Sequence, residues 1–291
     1  MAFTPPTLAS ETIAHIGSFP IRNSMLMGWI AMAVLIIAAL IFRRKSNRLI
    51  PKGFQNFVEV LIEGLFNFFD SVTQDKKQTR KFFPVVATIF LFVIVSNWMG
   101  ILPGVGPIGI WEEEPAIEES VSVENIENTE VKEVVNKHAG VVAEEEPTLI
   151  FVPFFRSAYA DVNMTLALAI ISIIATQIFG KAGLGFFHYA GKFLVNPLKD
   201  PIGCFVGFLE LISELAKLIS FTFRLFGNIF AGEVLLVVIG FLAPFIAPIP
   251  FYGLEIFVGF VQALVFSILT LVFFKMAVTS HSAEHAEASL R

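Results

Sequence analysis

This 291-residue sequence has few charged residues and a single cysteine. Only 15% of its residues are charged, whereas an average soluble domain has about a quarter. The one cysteine, Cys204, excludes an intrachain disulfide and argues against a cysteine-ligated metal site. A soluble enzyme, a disordered tail and a nucleic-acid reader are therefore excluded, because each needs more polar surface than this chain has.

Apolar residues are abundant instead. They make up 55% of the chain, 33 of them are Phe, and the mean hydropathy is +0.75. The sequence predicts an all-α polytopic membrane protein with about five membrane-crossing helices, since each crossing needs roughly 20 residues. The third crossing is expected to end at Gly180. The apolar stretches cover 25–42, 82–102, 161–179, 201–242 and 254–278.

A sixth helix is predicted to lie in the membrane interface rather than to cross the membrane. Polar residues recur every three or four positions between 54 and 70, and apolar residues fill the rest. The predicted organisation is an external N-terminal tail (1–24), two spans with the interfacial helix (25–103), an acidic external loop (104–148), a third span with a cytoplasmic loop (149–200), a helical hairpin (201–278) and a cytoplasmic tail (279–291).

The distribution of Lys and Arg predicts the orientation. Nine of them lie between 43 and 81, and Lys181, Lys192 and Lys199 follow the third span. Because cytoplasmic loops carry the excess of Lys and Arg, we expect the N-terminus outside and the C-terminus in the cytoplasm. Residues 112–146 hold twelve Glu and two Lys, a net charge of −10, although the whole chain has only −5. The surrounding segment, 104–147, is predicted to be a solvated insertion that is partly disordered or weakly β-forming.

The stretch 201–242 is too long for an upright span. A helix of that length is about twice as long as the apolar core is thick, so it must tilt strongly, by roughly 60°. Three Pro residues follow it, which predicts an antiparallel hairpin of two long tilted helices. Ionisable and polar residues align on one face of the first helix. They are Glu210, Glu214, Lys217, Arg224 and Asn228, with Ser213 and Ser220 beside them.

Ionisable residues inside a membrane are costly and normally mark a pathway or a partner. For Glu210, Glu214 and Lys217, a structural salt-bridge network is an equally good interpretation. Arg224 is different, because no acid lies three or four positions away and its guanidinium stays charged. It therefore predicts an anion on another helix or another subunit. Glu233 is half a turn round and about 13 Å along the helix, too far to neutralise it.

The second helix of the hairpin has its own polar face. Glu255, Gly259 and Gln262 align within about 40°, and the glycine allows close approach of a neighbouring backbone. Two facing polar stripes suggest an aqueous ion path that stops at Arg224.

The run FRLFGNIFAGE, residues 223–233, resembles the RLFGNxxAGE signature of subunit a of rotary F-type ATP synthases. Supporting similarity lies in the run DVNMTLAL (161–168), in Asn97, in residues 51–59 and in Gln262-Ala263. The resemblance spans about 25–277. It implies that Arg224 is the essential arginine facing the carboxylates of a rotating c-ring. It also implies that Asn228, Glu233, Glu255 and Gln262 line two proton half-channels, while Ser220, Glu210 and Lys217 match polar positions on the same helix.

The resemblance further implies partners and a location. These are the c-ring, the peripheral stalk b subunits, the lipid bilayer and a translocated proton, or a sodium ion, in the bacterial plasma (inner) membrane. No cofactor, no metal and no nucleic acid are expected, and the chain is not expected to be an enzyme by itself. The sequence departs from many members in having Glu255 where some have His and Gly100 where some have Asp.

Two other functions were weighed against this one. A stand-alone ion-coupled secondary transporter would be expected to show internal repeats and broken helices, and neither is visible here. A membrane zinc protease is suggested only by the HxxEH match at 281–285, which lies in a short polar tail with no obvious third ligand.

Overall fold

The computed structural model describes residues 10–45, 53–102, 105–106, 108–113, 149–185, 189, 201–243 and 246–279. Six α-helices and two small antiparallel strand pairs account for most of this part of the chain. The helices are α1 (Asn23–Lys45), α2 (Phe54–Thr73), α3 (Lys76–Gly100), α4 (Val162–Leu184), α5 (Pro201–Leu242) and α6 (Pro248–Val278). The strands are β1 (Thr12–Ile16), β2 (Phe19–Arg22), β3 (Gly109–Glu113) and β4 (Leu149–Pro153).

All of these helices except α2 are long and apolar enough to cross a membrane. The fold class predicted from the sequence, an all-α polytopic membrane protein, is thereby confirmed. Several predicted features lie outside the described residues: most of the acidic loop, the basic residues Lys192 and Lys199, and the HxxEH match at 281–285.

The core is built where α3, α4 and α6 pack together with the middle of α5. Fully buried Phe and Leu side chains fill this interface because each helix turns one apolar face to its neighbours. Rings meet edge to face between α3 and α6, as where Phe82 and Phe274 have centroids 5.6 Å apart. The largest buried apolar side chains of the core are Tyr159, Phe82, Phe221, Phe266, Phe274, Leu225 and Leu271.

The helix α2 joins the body through few residues. Phe69 is buried, and the ring of Phe66 meets Phe83 of α3 edge to face at 5.3 Å. Phe57, Val60 and other apolar side chains of α2 are exposed. Gln74, with a φ of 58°, ends α2, and Asp75 begins α3 at once by accepting hydrogen bonds from the backbone of its first turn.

The predicted end of the third span at Gly180 is wrong. The helix α4 continues to Leu184 and ends at Gly185, whose φ of 84° suits only glycine. Gly180 has a different role, because a Cβ at this position would overlap the ring of Tyr189. It is therefore a packing glycine inside the helix rather than a helix terminator.

The helix α5 runs unbroken for 42 residues, about 63 Å at 1.5 Å per residue, and α6 for 31 residues. Both lengths exceed a membrane core of about 30 Å, which a helix can accommodate by tilting. The short connection between them makes the two helices neighbours in the chain and in space.

The sequence does not predict the first strand pair, whereas β3 lies within the segment 104–147 that the sequence predicts to be partly disordered or weakly β-forming. β1 and β2 form a hairpin that leads directly into α1, and β3 pairs with β4 from Gly109 opposite Pro153 to Glu113 opposite Leu149. This second pair closes the base of the acidic segment, whose residues 114–148 are not described.

Candidate functional site

The polar stripe of α5 begins with an internal ion pair. Lys217 Nζ donates to Glu214 Oε1 at 2.8 Å and lies 4.8 Å from the ring centroid of Phe273 on α6. Glu210 is half-buried one turn earlier. Burial first, and then the charges of Glu214 and Glu210, raise the pKa of the Tyr189 phenol to about 12. Glu214 and Glu210 therefore lie near enough to Tyr189, which follows α4, for their charges to act on its phenol.

Arg224 lies in the middle of α5. Its Nη2 donates to Ser220 Oγ at 3.3 Å, and its guanidinium carbon is 6.0 Å from the ring centroid of Phe221. Its Nη1 is buried and has no hydrogen-bond acceptor among the described residues. No carboxylate in this part of the chain forms an ion pair with Arg224. Among the residues that the structure describes, the permanent charge therefore contacts only a hydroxyl and a ring face.

One turn beyond Arg224, an amide pair joins the two helices of the hairpin. Asn228 Nδ2 donates to Gln262 Oε1 at 2.8 Å. Gln262 is buried, and its own Nε2 finds no acceptor in the described part of the chain. The structure therefore brings these two predicted site residues together across the interface of α5 and α6.

Glu255 is buried at the start of α6, with 7% of the residue exposed. No hydrogen bond or ion pair joins it to another described residue. A Cβ at Gly232 of α5 would overlap the Glu255 carboxylate, so the glycine provides the space into which this side chain packs. Further along α6, Asn97 of α3 donates to the carbonyl of Gly259 at 3.1 Å, as the close approach expected at this glycine allows.

Glu233 has a partner that the sequence analysis missed. Arg156, in the segment after β4, donates from Nε to Glu233 Oε1 at 3.1 Å and lies 3.4 Å from Oε2. The Arg156 side chain is 4% exposed and that of Glu233 is 26% exposed. A buried guanidinium requires an anion close by, so the pair fixes the Glu233 carboxylate in place.

A cavity of about 400 Å³ connects these groups. It is lined by Arg156, Glu233 and Glu255, by Asn97 near the end of α3, and by Ile229 of α5. Ile229 is five residues from Arg224, about 7.5 Å along the helix axis. The cavity therefore brings both carboxylates into one shared space that reaches to within about two turns of Arg224.

A second arginine near this end of the molecule is also paired. Arg22 Nη1 lies 3.7 Å from Asp161 Oδ2, and Asp161 accepts from Ser10 Oγ, Ser24 Oγ and the backbone of Asn163. Burial alone would raise the pKa of Asp161. The hydrogen bonds and the Arg22 charge together outweigh it and hold that pKa below its ordinary value. This cluster ties the N-terminal hairpin to the first turn of α4.

The predicted site residues thus form three groups along the hairpin. Arg224, Ser220, Asn228 and Gln262 lie together in the middle; Glu233 and Glu255 share the cavity; Glu210, Glu214 and Lys217 lie at the opposite end of α5. Glu233 and Arg224 are not brought together, as their spacing along the helix requires. Among the described residues no group of three His, Cys, Asp or Glu could hold a metal ion.

Arg156 was missed because its partner is 77 residues away in the chain. One signal could have identified it. A basic residue beside a span, on the side that the Lys and Arg counts predict to be external, is uncommon and invites a search for an acid. The same signal applies to Arg22, which pairs with Asp161.

Comparison with known proteins gives a consistent match. The family model described as ATP synthase A chain matches residues 25–275. ATP synthase subunit a of Campylobacter jejuni subsp. doylei is 31% identical over 252 residues, covering 85% of each chain. ATP synthase subunit a of Syntrophobacter fumaroxidans is 29% identical over 285 residues, covering 95% of this chain and 90% of that protein.

Proposed function

Because the chain belongs to the family of ATP synthase subunit a, we propose that it is the stator subunit that couples proton flow to rotation of a c-ring. The family makes it a component of an ATP synthase complex and an integral protein of a bacterial inner membrane. In this proposal its partners are the c-ring and the peripheral stalk b subunits. It has no catalytic activity by itself, and its N-terminus is outside with its C-terminus in the cytoplasm.

The observation that carries the proposal is the unneutralised charge of Arg224. A carboxyl group on the rotor can face lipid when it is neutral, whereas the ionised form is penalised by several kcal/mol. The Arg224 guanidinium would stabilise the ionised form as each rotor carboxyl passes, and so favour release of its proton. Its fixed positive charge also opposes direct passage of protons from one half-channel to the other.

In this mechanism, one half-channel leads to each side of Arg224. On the predicted external side, protons would enter the cavity lined by Glu233 and Glu255 and pass toward Asn228 and Gln262. On the cytoplasmic side, the path would lead along the other face of Arg224, past Ser220 toward the Glu210, Glu214 and Lys217 group. The membrane potential supplies about 2.3 kcal/mol per proton per 100 mV.

The test is substitution of Arg224 in the assembled complex. Arg224→Ala and Arg224→Lys should each abolish ATP-driven proton pumping in inverted membrane vesicles, while the subunit still assembles with its partners. Lys is expected to fail because a buried ammonium can lose its proton and lacks the planar guanidinium. Gly240→Ala in the same helix, where the added Cβ meets no atom within 4 Å, is the matched control and should retain pumping. Normal pumping by either Arg224 variant would defeat the proposal.

A transport assay in liposomes separates this function from that of a stand-alone transporter. If the purified chain alone carried protons or sodium ions across liposomes as fast as the assembled complex, a role as one subunit of a rotary machine would be wrong. Replacing Na⁺ by K⁺ in the pumping assay distinguishes the coupling ion, because only a sodium-coupled complex would lose activity.

A further inference from the structure

Four cations crowd the first two turns of α3. Lys76, Lys77, Arg80 and Lys81 are all exposed, and they line a surface concavity of about 460 Å³. We call these four residues the α3 basic cluster. No ion pair links them to a carboxylate within the described part of the chain.

The position of these four cations at the start of α3 makes their positive charge unfavourable. The N-terminus of a helix carries a partial positive charge, so cations there are destabilised and an anion is favoured. The two nearest carboxylates have other roles: Asp75 accepts from the backbone of Lys77 at 2.8 Å, and Asp70 accepts from Thr79 Oγ1 at 2.9 Å. At most they offset two of the four charges. An anion in the concavity would be attracted by the cations and by the helix end together.

The cluster continues into an apolar surface along the same side of the helix. At 100° per residue, Lys77, Arg80 and Lys81 lie within about 80° of Pro84 and Thr88, and all five are exposed. The helix is a candidate membrane span from Lys76 onward, so the cluster lies where lipid headgroups meet the hydrocarbon region.

We propose that the α3 basic cluster binds the phosphate headgroup of an anionic phospholipid, whose acyl chains lie along the Pro84 and Thr88 side of α3. A lipid fits better than an acidic protein segment, because only a lipid combines a phosphate with an apolar tail in the direction that the helix provides. Clusters of Lys and Arg at the cytoplasmic end of a span are suited to such headgroups. The inference does not depend on the proposed function, since it needs only a membrane.

The experiment titrates the delipidated, detergent-purified complex with phosphatidylglycerol and counts bound lipid by native mass spectrometry. Phosphatidylcholine is the neutral reference lipid, and inorganic phosphate is added as a competitor. The variant is Lys77→Gln/Arg80→Gln/Lys81→Gln. The matched control removes three cations from the same predicted side, Arg43→Gln/Arg44→Gln/Lys275→Gln, and leaves the concavity intact. The same spectra report whether the b and c subunits remain bound.

The wild-type complex and the control should retain phosphatidylglycerol in preference to phosphatidylcholine, and the variant should bind it at least about tenfold more weakly. Binding should also weaken as salt is raised. Millimolar inorganic phosphate should not displace the lipid, because phosphate lacks the apolar part. Equal affinity in variant and wild type, or full displacement by phosphate, would overturn the proposal. Loss of b subunits from the variant with lipid binding unchanged would also overturn it, since the occupant would then be a protein.

Discussion

Two arginines near α5 have opposite electrostatic environments. Arg156 is almost completely buried, and its Nε is 3.1 Å from the Glu233 carboxylate. Arg224, about two and a half turns earlier along α5 than Glu233, has only a hydroxyl at 3.3 Å and one buried nitrogen without an acceptor. The first arrangement holds a carboxylate inside the chain, and the second leaves a cation without a carboxylate among the described residues. In the proposed mechanism this difference separates the two roles: the paired arginine positions an acid, and the other meets a carboxylate of the rotor.

Removal of the Glu233 carboxylate, which pairs with Arg156, should have the largest effect on stability. Glu233→Leu removes the carboxylate that lies 3.1 Å from Nε of the buried Arg156, so we expect the free energy of unfolding to fall by about 3–5 kcal/mol. Denaturation in mixed micelles measures this free energy of unfolding. Arg156→Met/Glu233→Leu should recover most of this loss, because apolar side chains can replace a buried ion pair at little cost. Proton pumping should remain low in the double variant, since the cavity then holds only one carboxylate.

The double variant also provides the control. The double variant is compared with the single variants Arg156→Met and Glu233→Leu. If its loss of stability equals the sum of their losses, Arg156 and Glu233 do not interact energetically, and their pairing would not account for the position of the carboxylate.

A smaller effect is expected where Glu255 packs on Gly232. Gly232→Ala places a methyl group in the space of the Glu255 carboxylate, and overpacking of this kind costs about 1–3 kcal/mol. The displaced carboxylate should also slow pumping. Gly240→Ala in the same helix meets no atom within 4 Å, and should instead stabilise α5 by up to about 1 kcal/mol. Similar unfolding free energies and similar pumping rates for the two variants would show that Glu255 does not depend on this space.

The smallest effect concerns the other paired arginine, Arg22, and its partner. Because the folded chain holds the pKa of Asp161 below its ordinary value, the ionised form stabilises the fold. That contribution is present above about pH 4 and is lost as the pH falls further. We expect Asp161→Asn to lower the free energy of unfolding by only about 1 kcal/mol near neutral pH, because Asn still accepts hydrogen bonds and loses only the charge, and the difference from wild type to shrink in acid. Thermal unfolding between about pH 7 and pH 3 measures this. A difference that stays constant over that range would contradict the assignment.

The sequence predicts the elements that depend on local pattern. The unbroken apolar run of α5 and the three-residue spacing of Glu214 and Lys217 are both visible in the chain, and both lead to the structure observed. The lack of an acid three or four positions from Arg224 on the same helix is likewise a matter of spacing. The fold class follows from composition and from the length of the apolar stretches.

Contacts between distant segments are less accessible to sequence reasoning. The pairing of Arg156 with Glu233 depends on how the segment after β4 crosses α5, and the space for Glu255 depends on a glycine of another helix. Gly180 shows the same limit, because a helix terminator and a packing glycine look alike until the neighbouring ring of Tyr189 is known. These features are determined by tertiary packing, which no periodicity encodes.

The central claim is that Arg224 finds its anion on the rotor. A structure of the complete ATP synthase complex, at a resolution that shows side chains, tests this most directly. We expect the guanidinium to face the ring and to approach one of its carboxylates, while Glu233 stays with Arg156. A guanidinium turned away from the ring and paired with a carboxylate of its own subunit would contradict the account.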